Sequence, residues 1–465
     1  MKIGFADNAG SLLSVVWHCQ QEGHDVYYWT KEDDGAKIGI GLVHRVKTLK
    51  ELIYERPDAV ITYRLDKEAE HIKKSGIETF GSSGATMELE DKRLFAAQLC
   101  RSLGVGKVPR TERFTDTRAA RKFIEDDKSR TSWVFKSEGG SVPTSSTHVT
   151  KSREHLLQIL DYEGSLNRAK AFVLQQKVDG IEISIEGWFD YRDDIGWLKP
   201  LNSTLERKPL FPGDIGPLTG CMGSVVWAWS GDRPKLFRQT LENLTPYLNK
   251  IKYTGPIDGN FIIDYIDRQP YFLEFTPRFG WNALEAVMAG FNGDFGEFLV
   301  NFAKGRGGAF KFQDRYMAAL RVYTPHAKDV PVTAPIREHP LIYPKDLWFD
   351  GDQLRAVDEE TIPGFTAVLE VCGYGRTVSQ AVDPIYEDII PQLQVTDITY
   401  RNDIGDKAKD DIKMLGEWGY IVEKDIRLPI SYTEAKVIRE EWYEPEGAGD
   451  TPSSVTDGAG HGSDK

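Results

Sequence analysis

Residues 262–280 read IIDYIDRQPYFLEFTPRFG, two apolar runs that each hold an acid, Asp264 and Glu274. Buried carboxylates are costly unless a cation or a set of hydrogen bonds compensates them. In a hairpin that sets Asp267 opposite Tyr271 across a three-residue loop, Asp264 falls opposite Glu274 on one face. Two acids so placed suit a hard divalent cation whose shell phosphate oxygens complete. A half-exposed hairpin with two solvated acids fits the same residues, and this stretch leaves both readings open.

Two further stretches carry candidate chemistry. In WVFKSEGGSVPTSSTHV, Lys136 ends an apolar strand and faces a Gly/Ser-rich loop; such a lysine can neutralise phosphate oxygens that the loop's N–H groups cover. The order is not that of a Walker A loop, and a surface turn would look the same. In FVLQQKVDGIEISIEG, a strand runs into Gln176, Lys177 and Val178, turns at Asp179-Gly180 and reaches Glu182. A strand end of this kind can offer backbone groups to an adenine edge, and the carboxylate after the turn can take two ribose hydroxyls. An ordinary hairpin remains the competing reading.

Strand–helix alternation from MKIGFAD to GIETFGSS predicts a parallel α/β domain over residues 1–100, with ligands expected beyond the strand ends. A second region, 101–315, alternates strand and helix again, with a lid subdomain over about 110–185 whose Ser/Thr loop at 137–150 has a composition that permits closure. A mixed region follows at 316–430, and the Gly/Ser/Asp/Pro-rich residues 431–465 are expected to be mostly disordered. The fold class expected is α/β, with a parallel N-terminal domain and a small mixed C-terminal one. The formal net charge is −13, from 58 Lys and Arg against 71 Asp and Glu. That balance lacks the global basic excess of proteins that bind nucleic-acid polymers. Cys19, Cys100, Cys221 and Cys372 show no zinc or Cys-x-x-Cys spacing and are expected to be reduced. No secretory signal and no membrane span is evident, so a cytoplasmic protein is expected.

The order of the set, a helical Lys92, then Lys136 with its loop, then 176–182, then Asp264 and Glu274, resembles the ATP-grasp superfamily. GIETFGSSGATMELEDKRLFAAQL, LERKPLFPGDIGPLTGCMGS, FLEFTPRFG and VCGYGRTVSQAVDPIYEDIIPQL with ITYRNDIGDKA are similar to segments of the phosphoribosylamine–glycine ligase family. The resemblance spans about residues 1–410. It implies an N-terminal α/β domain, an ATP-grasp domain and a small C-terminal domain. It also implies ATP, Mg²⁺ or Mn²⁺, and small-molecule acid and amine substrates, in a monomer or homodimer. In that scheme ATP phosphorylates a carboxylate and an amine displaces the phosphate. Lys92 and Lys136 would meet the polyphosphate, and Gln176, Lys177, Val178 and Glu182 the nucleoside. Asp264, Glu274 and Thr276 would hold the metal. Arg278 would hold the acyl phosphate or the substrate carboxylate, Asp214 the ammonium of a glycine-like substrate, and Lys208 keeps the family's basic position.

The departures fall on the substrate side. Thr276 stands where the family has Asn, and RFG-Asp-Pro becomes RFG with Trp281 and Asn282. Leu218 and Cys221 alter the Asp214 loop, and both N-terminal turns, DNAGSLLS and YRLDKE, differ. The preferred expectation is therefore a ligase relative with a changed acid or amine. The alternatives are the purine-pathway ligase itself, a kinase on the same fold, or a non-catalytic nucleotide-binding protein.

Overall fold

A computed structural model describes residues 1–421 apart from 32–36, 83, 130, 139–146, 167–170, 193–194, 230–232, 307–310, 326–328, 358–361 and 363. Most of the expected Ser/Thr-rich cover and the expected tail at 431–465 lie outside the described residues.

The first strand, Lys2–Asp7, is buried along nearly its whole length, as a strand covered on both faces must be. It pairs in parallel with Asp25–Thr30 and Ala59–Tyr63, and Thr79–Gly81 completes a four-stranded parallel sheet. At its C-terminal end the buried Asp7 carboxylate accepts the N–H groups of Gly10 (2.9 Å) and Leu12 (2.8 Å) and the Tyr28 hydroxyl (2.7 Å). These bonds fix the turn that carries Asn8 and Ser11 toward the site.

The expected lid is a separate layer. Strands Thr111–Phe114, Phe172–Gln176, Trp133–Ser137 and Thr147–Val149 form an antiparallel sheet. Helices Thr117–Asp126 and Arg153–Leu166 cover it, and Trp133, Phe135, Leu160 and Phe172 give it a hydrophobic core of its own.

The largest element is a nine-stranded antiparallel sheet. Its site half consists of Pro270–Thr276, Thr254–Asp264, Gly180–Asp190, Asn202–Phe211 and Ile215–Ala228 in that spatial order. Tyr316–Thr324, Thr366–Gly375 and Ile342–Pro344 extend the same sheet. Among the described residues the region after 316 therefore continues the central sheet, and a small four-stranded sheet stands apart from it. Helix Ala283–Gly290 is buried along its length. Its Glu285 accepts a hydrogen bond from Ser14 (2.6 Å) and pairs with Lys345 (2.8 Å), joining three parts of the chain.

All four cysteines are buried and free. Among the described residues no helix is long and apolar enough to cross a membrane.

Candidate active site

Residues paired across neighbouring strands share a face, so strand register writes the floor of the site as a lattice. Thr276, Asp258, Glu186 and Asn202 form one row across four strands. Glu274, Asn260, Ser184 and Thr204 form the next, and Ile262 with Glu182 begins a third. Above this floor, beneath the separate four-stranded layer and beside the N-terminal turn, lies a cleft of about 770 Å³, within the range of cofactor-sized ligands.

Lys136, Lys208 and Arg93 gather around Glu274. Arg93 Nη1 lies 3.0 Å from Glu274 Oε2, and Lys208 Nζ 3.6 Å from its Oε1. Lys208 also reaches Glu182 (2.6 Å) and Glu206 (3.4 Å). Burial would raise the Glu274 carboxyl, but Lys208, Arg93 and Lys136 hold it well below the usual carboxylate range. Burial, helped by the Arg93 charge, brings the Lys136 ammonium down to about 8. Burial opposes the charge on Lys208, yet Glu182, Glu206 and Glu274 together keep it protonated far above the usual range. The result is a knot of cations closed on one carboxylate, an arrangement that anionic oxygens entering the cleft can reopen.

Val134 and Val149 of the lid and Ile262 and Leu273 of the hairpin give the cleft apolar wall. Gln176, Lys177 and Val178 leave the lid at this wall, with Gln176 N–H donated to Arg110 O and Lys177 N–H to Ser132 O, both at 2.8 Å. Glu182, Thr276, Arg278 and Asp214 also line the cleft.

Two residues expected at the site stand outside it. Lys92 precedes helix Arg93–Leu103 and its ammonium pairs with Glu88 one turn back, largely in solvent. The next residue, Arg93, takes the inward direction. Asp264 does not face Glu274. Ile263 pairs with Pro270, and a bulge between Asn260 and Phe261 absorbs one residue of the partner strand, leaving Asn260 opposite Glu274. Asp264 caps the turn, accepting Ile266 N–H at 2.8 Å and Asp267 N–H at 2.9 Å. The strands already part at Ile263 and Pro270 instead of at Asp267 and Tyr271; that earlier turn shifts the register, the bulge returns one residue of the shift, and Asn260 rather than Asp264 meets Glu274.

Two expected ligand-holding groups are present but engaged. Arg278 donates from Nε (3.1 Å) and Nη2 (2.8 Å) to Glu90, which also pairs with Arg64 at 2.8 Å. Asp214, at φ 58°, accepts from Arg401 Nη1 at 2.9 Å. The same guanidinium binds the Asp403 carboxylate at 2.7 Å and Pro209 O at 3.1 Å, tying the Asp214 loop to the segment after residue 400.

Asn260 Nδ2 donates to Asp258 Oδ2 at 2.9 Å, while Asn260 Oδ1 and Asp258 Oδ1 are buried with no hydrogen-bond partner. Burial, with Glu206 and Glu186 nearby, pushes the Asp258 carboxyl up, and burial takes Glu186 up to about 7. Glu206, Asp258 and Asn260 were not singled out in the sequence: in the LERKP stretch the resemblance fell on Lys208, and Asp258 and Asn260 in PIDGNF belong to no motif named there.

The ATP-grasp (A) domain of phosphoribosylglycinamide synthetase matches residues 91–283 of this chain. Phosphoribosylamine–glycine ligase of Rhizobium meliloti is 26% identical over 352 residues, 72% of this chain and 79% of its own length. The crystal structure of phosphoribosylamine–glycine ligase from Thermotoga maritima superposes with a TM-score of 0.65 at 19% identity, covering 87% of this chain and 100% of that one. The biotin carboxylase domain of Hydrogenobacter thermophilus 2-oxoglutarate carboxylase gives 0.59 at 12% identity, covering 91% and 99%. At these identities the two superpositions speak for the fold.

Proposed function

We propose that this chain, an ATP-grasp carbon–nitrogen ligase resembling phosphoribosylamine–glycine ligase, joins an acid to an amine of which at least one differs from that enzyme's pair. The observation that carries the ligase reading is the knot of Lys136, Lys208 and Arg93 on Glu274 beneath the 176–178 hinge.

In this reading a carboxylate oxygen attacks the terminal phosphorus of ATP and ADP departs. The amine nitrogen then attacks the acyl carbon, loses a proton, and inorganic phosphate leaves. Lys136, Lys208 and Arg93 would offset charge on the phosphate oxygens as the terminal group transfers. The Lys177–Val178 backbone would meet the adenine and Glu182 the ribose. Glu274 and the unpartnered Asn260 Oδ1, with Thr276 beside them, are an all-oxygen donor set that fits Mg²⁺. Bound there, the ion supplies charge neutralisation at the transferring phosphate. Arg278 would turn from Glu90 toward an anionic substrate group, for which its planar fork is suited.

A changed substrate is supported by Trp281. Its indole lies against Gly220, where a Cβ would come within 2.4 Å of the ring, and its Nε1 donates to the Tyr63 hydroxyl at 3.1 Å. Arg321 stacks on the same ring at 4.8 Å. That end of the cleft is narrowed where the family has a short Asp-Pro pair.

The test is ADP release with Mg²⁺-ATP, glycine and freshly made phosphoribosylamine, beside a panel of other acids and amines. Release that requires both an acid and an amine other than the glycine–phosphoribosylamine pair is expected. Release requiring that pair makes this the purine-pathway ligase. Release without any amine replaces the ligase reading with a kinase, and tight nucleotide binding without release replaces it with a non-catalytic one.

A further inference from the structure

One carboxylate at the edge of the cleft serves two arginines. Glu90 Oε1 lies 2.8 Å from Arg278 Nη2 and 2.8 Å from Arg64 Nη1, and its Oε2 accepts from Arg278 Nε at 3.1 Å. Arg64 reaches on with Nη2 to Asp91 Oδ1 at 3.1 Å. Two guanidiniums thus close on two adjacent acids, and all four residues line the cleft. The side chains of Arg64, Arg278 and Glu90 are no more than 21% exposed, so water replaces little of what these contacts supply.

Arg64 reaches this place against its own backbone preference. It sits at φ 52°, in the left-handed region where a β-carbon is crowded, and its N–H is held by Ser82 Oγ at 2.6 Å. Its turn, YRLDKE, is one of the two whose sequence departs from the family's. Arg278 is braced from another side, over the Tyr63 ring at 5.5 Å with Nη1 donated to Phe279 O at 3.1 Å. A strained residue that brings a second cation to a carboxylate already held by one points to a use for the second. The movement of Arg278 toward a substrate anion supplies it. Taking the cation from a largely buried carboxylate opposes that movement, the more so with Asp91 beside Glu90. A second cation already on the same oxygen removes the opposition.

We propose that Arg64 is a positioning residue for Arg278: it keeps Glu90 paired while Arg278 leaves that carboxylate for the anionic group of the substrate. The Glu90 carboxylate is handed from two guanidiniums to one and back, and Arg64 itself touches no ligand. Its two η nitrogens, one on Glu90 and one on Asp91, hold both acids without help from Arg278. Without Arg64, Arg278 would face two neighbouring carboxylates alone and be detained by them. The handover rests on the ligase reading for what Arg278 moves toward, and it is tested by binding.

The experiment loads the full chain with Mg²⁺-ADP and titrates inorganic phosphate by isothermal titration calorimetry. Arg278→Ala sets the baseline, since it removes the group that moves. Arg64→Ala is expected to weaken phosphate about tenfold, the size of one charge-assisted hydrogen bond. Its affinity for Mg²⁺-ADP is expected to be unchanged, which also reports that the variant is folded. Arg64→Lys, which keeps a charge on Glu90, is expected to stay within about threefold of the parent. Glu90→Gln added to Arg64→Ala takes away the charge that detains Arg278, and is expected to restore phosphate to within about threefold of the parent. A direct contact between Arg64 and the ligand, or a purely structural role, gives the loss without this rescue. Should Arg64→Ala fail to bind ADP, Arg64→Gln carries the same comparison. No phosphate binding in the parent, binding that Arg278→Ala leaves unchanged, unchanged affinity in Arg64→Ala, or a loss that Glu90→Gln does not repair overturns the handover. Rescue in a protein that releases no ADP with any acid–amine pair upholds the handover and removes the ligase reading.

Discussion

Arg93 and Glu274, 181 residues apart in sequence, are joined by a 3.0 Å contact between Nη1 and Oε2 at the centre of the cleft, while Lys92 beside Arg93 faces solvent. Lys92 sits at the non-helical break before helix Arg93–Leu103 (φ −106°, ψ 77°), and the helix begins with Arg93, so the two neighbours leave the chain in different directions. Arg93→Ala is therefore expected to lower kcat/KM for ATP by roughly tenfold or more, the loss of a charge-assisted hydrogen bond of about 1.5–3 kcal/mol. Lys92→Ala is expected to stay within about twofold of the parent, as exposed ion pairs contribute little. Steady-state ADP release on both variants decides it, and the reverse ranking would return the phosphate role to Lys92.

How much of this was legible beforehand divides along a physical line. The parallel N-terminal sheet showed in continuous apolar runs such as KIGFAD, and the break between the strands ending at Gln176 and starting at Gly180 showed in Asp179-Gly180. Lys136, Lys208, Glu182 and Glu274, each expected at the site from a strand position or a motif, all line the one cleft. The misplacements share a cause in local geometry. A turn entered at Ile263 and Pro270, with a one-residue bulge behind it, made Asn260 and not Asp264 the partner of Glu274, and the start of a helix sent Arg93 inward in place of Lys92. Neither leaves a mark in residue type. The Arg401–Asp214 tie joins segments 187 residues apart and could be read only as part of a C-terminal motif.

The same register makes a prediction for the hairpin. Glu274→Gln is expected to abolish turnover, because it removes the charge that gathers Lys136, Lys208 and Arg93. Asp264→Ala is expected to leave turnover intact and cost about 1 kcal/mol of stability, the ordinary value of a turn-capping hydrogen bond. Urea denaturation alongside the ADP assay separates them. Turnover lost in Asp264→Ala at unchanged stability would restore the acid to the metal site.

Arg401 is buried to 1% exposure and divides its donors between Asp214, Asp403 and Pro209 O. Lysine keeps the charge but cannot reproduce the fork. Arg401→Lys should loosen the Asp214 loop over the cleft and raise KM for the non-nucleotide substrates by about tenfold, with KM for ATP little changed. Equal effects on both would make Arg401 a support of the whole cleft.

Lys136 gives the pH dependence. Its folded pKa of about 8 lies below the usual 10.5, so between these values the unfolded chain holds a proton that the folded one has released. By linkage the folded state's stability gains as pH rises through that window and carries the burden of a buried charge below it. Nucleotide binding follows the opposite sense, since only the ammonium form attracts phosphate. The profile of kcat/KM for ATP, which reports the free enzyme, should therefore fall above pH 8. The kcat profile should fall at higher pH, because bound phosphate oxygens raise the lysine's pKa again. A guanidinium in its place would not titrate in this range, so Lys136→Arg is expected to flatten the alkaline limb of kcat/KM even where its absolute value drops. A limb that survives in Lys136→Arg would assign the titration to another group and leave Lys136 a charged but pH-silent part of the cleft.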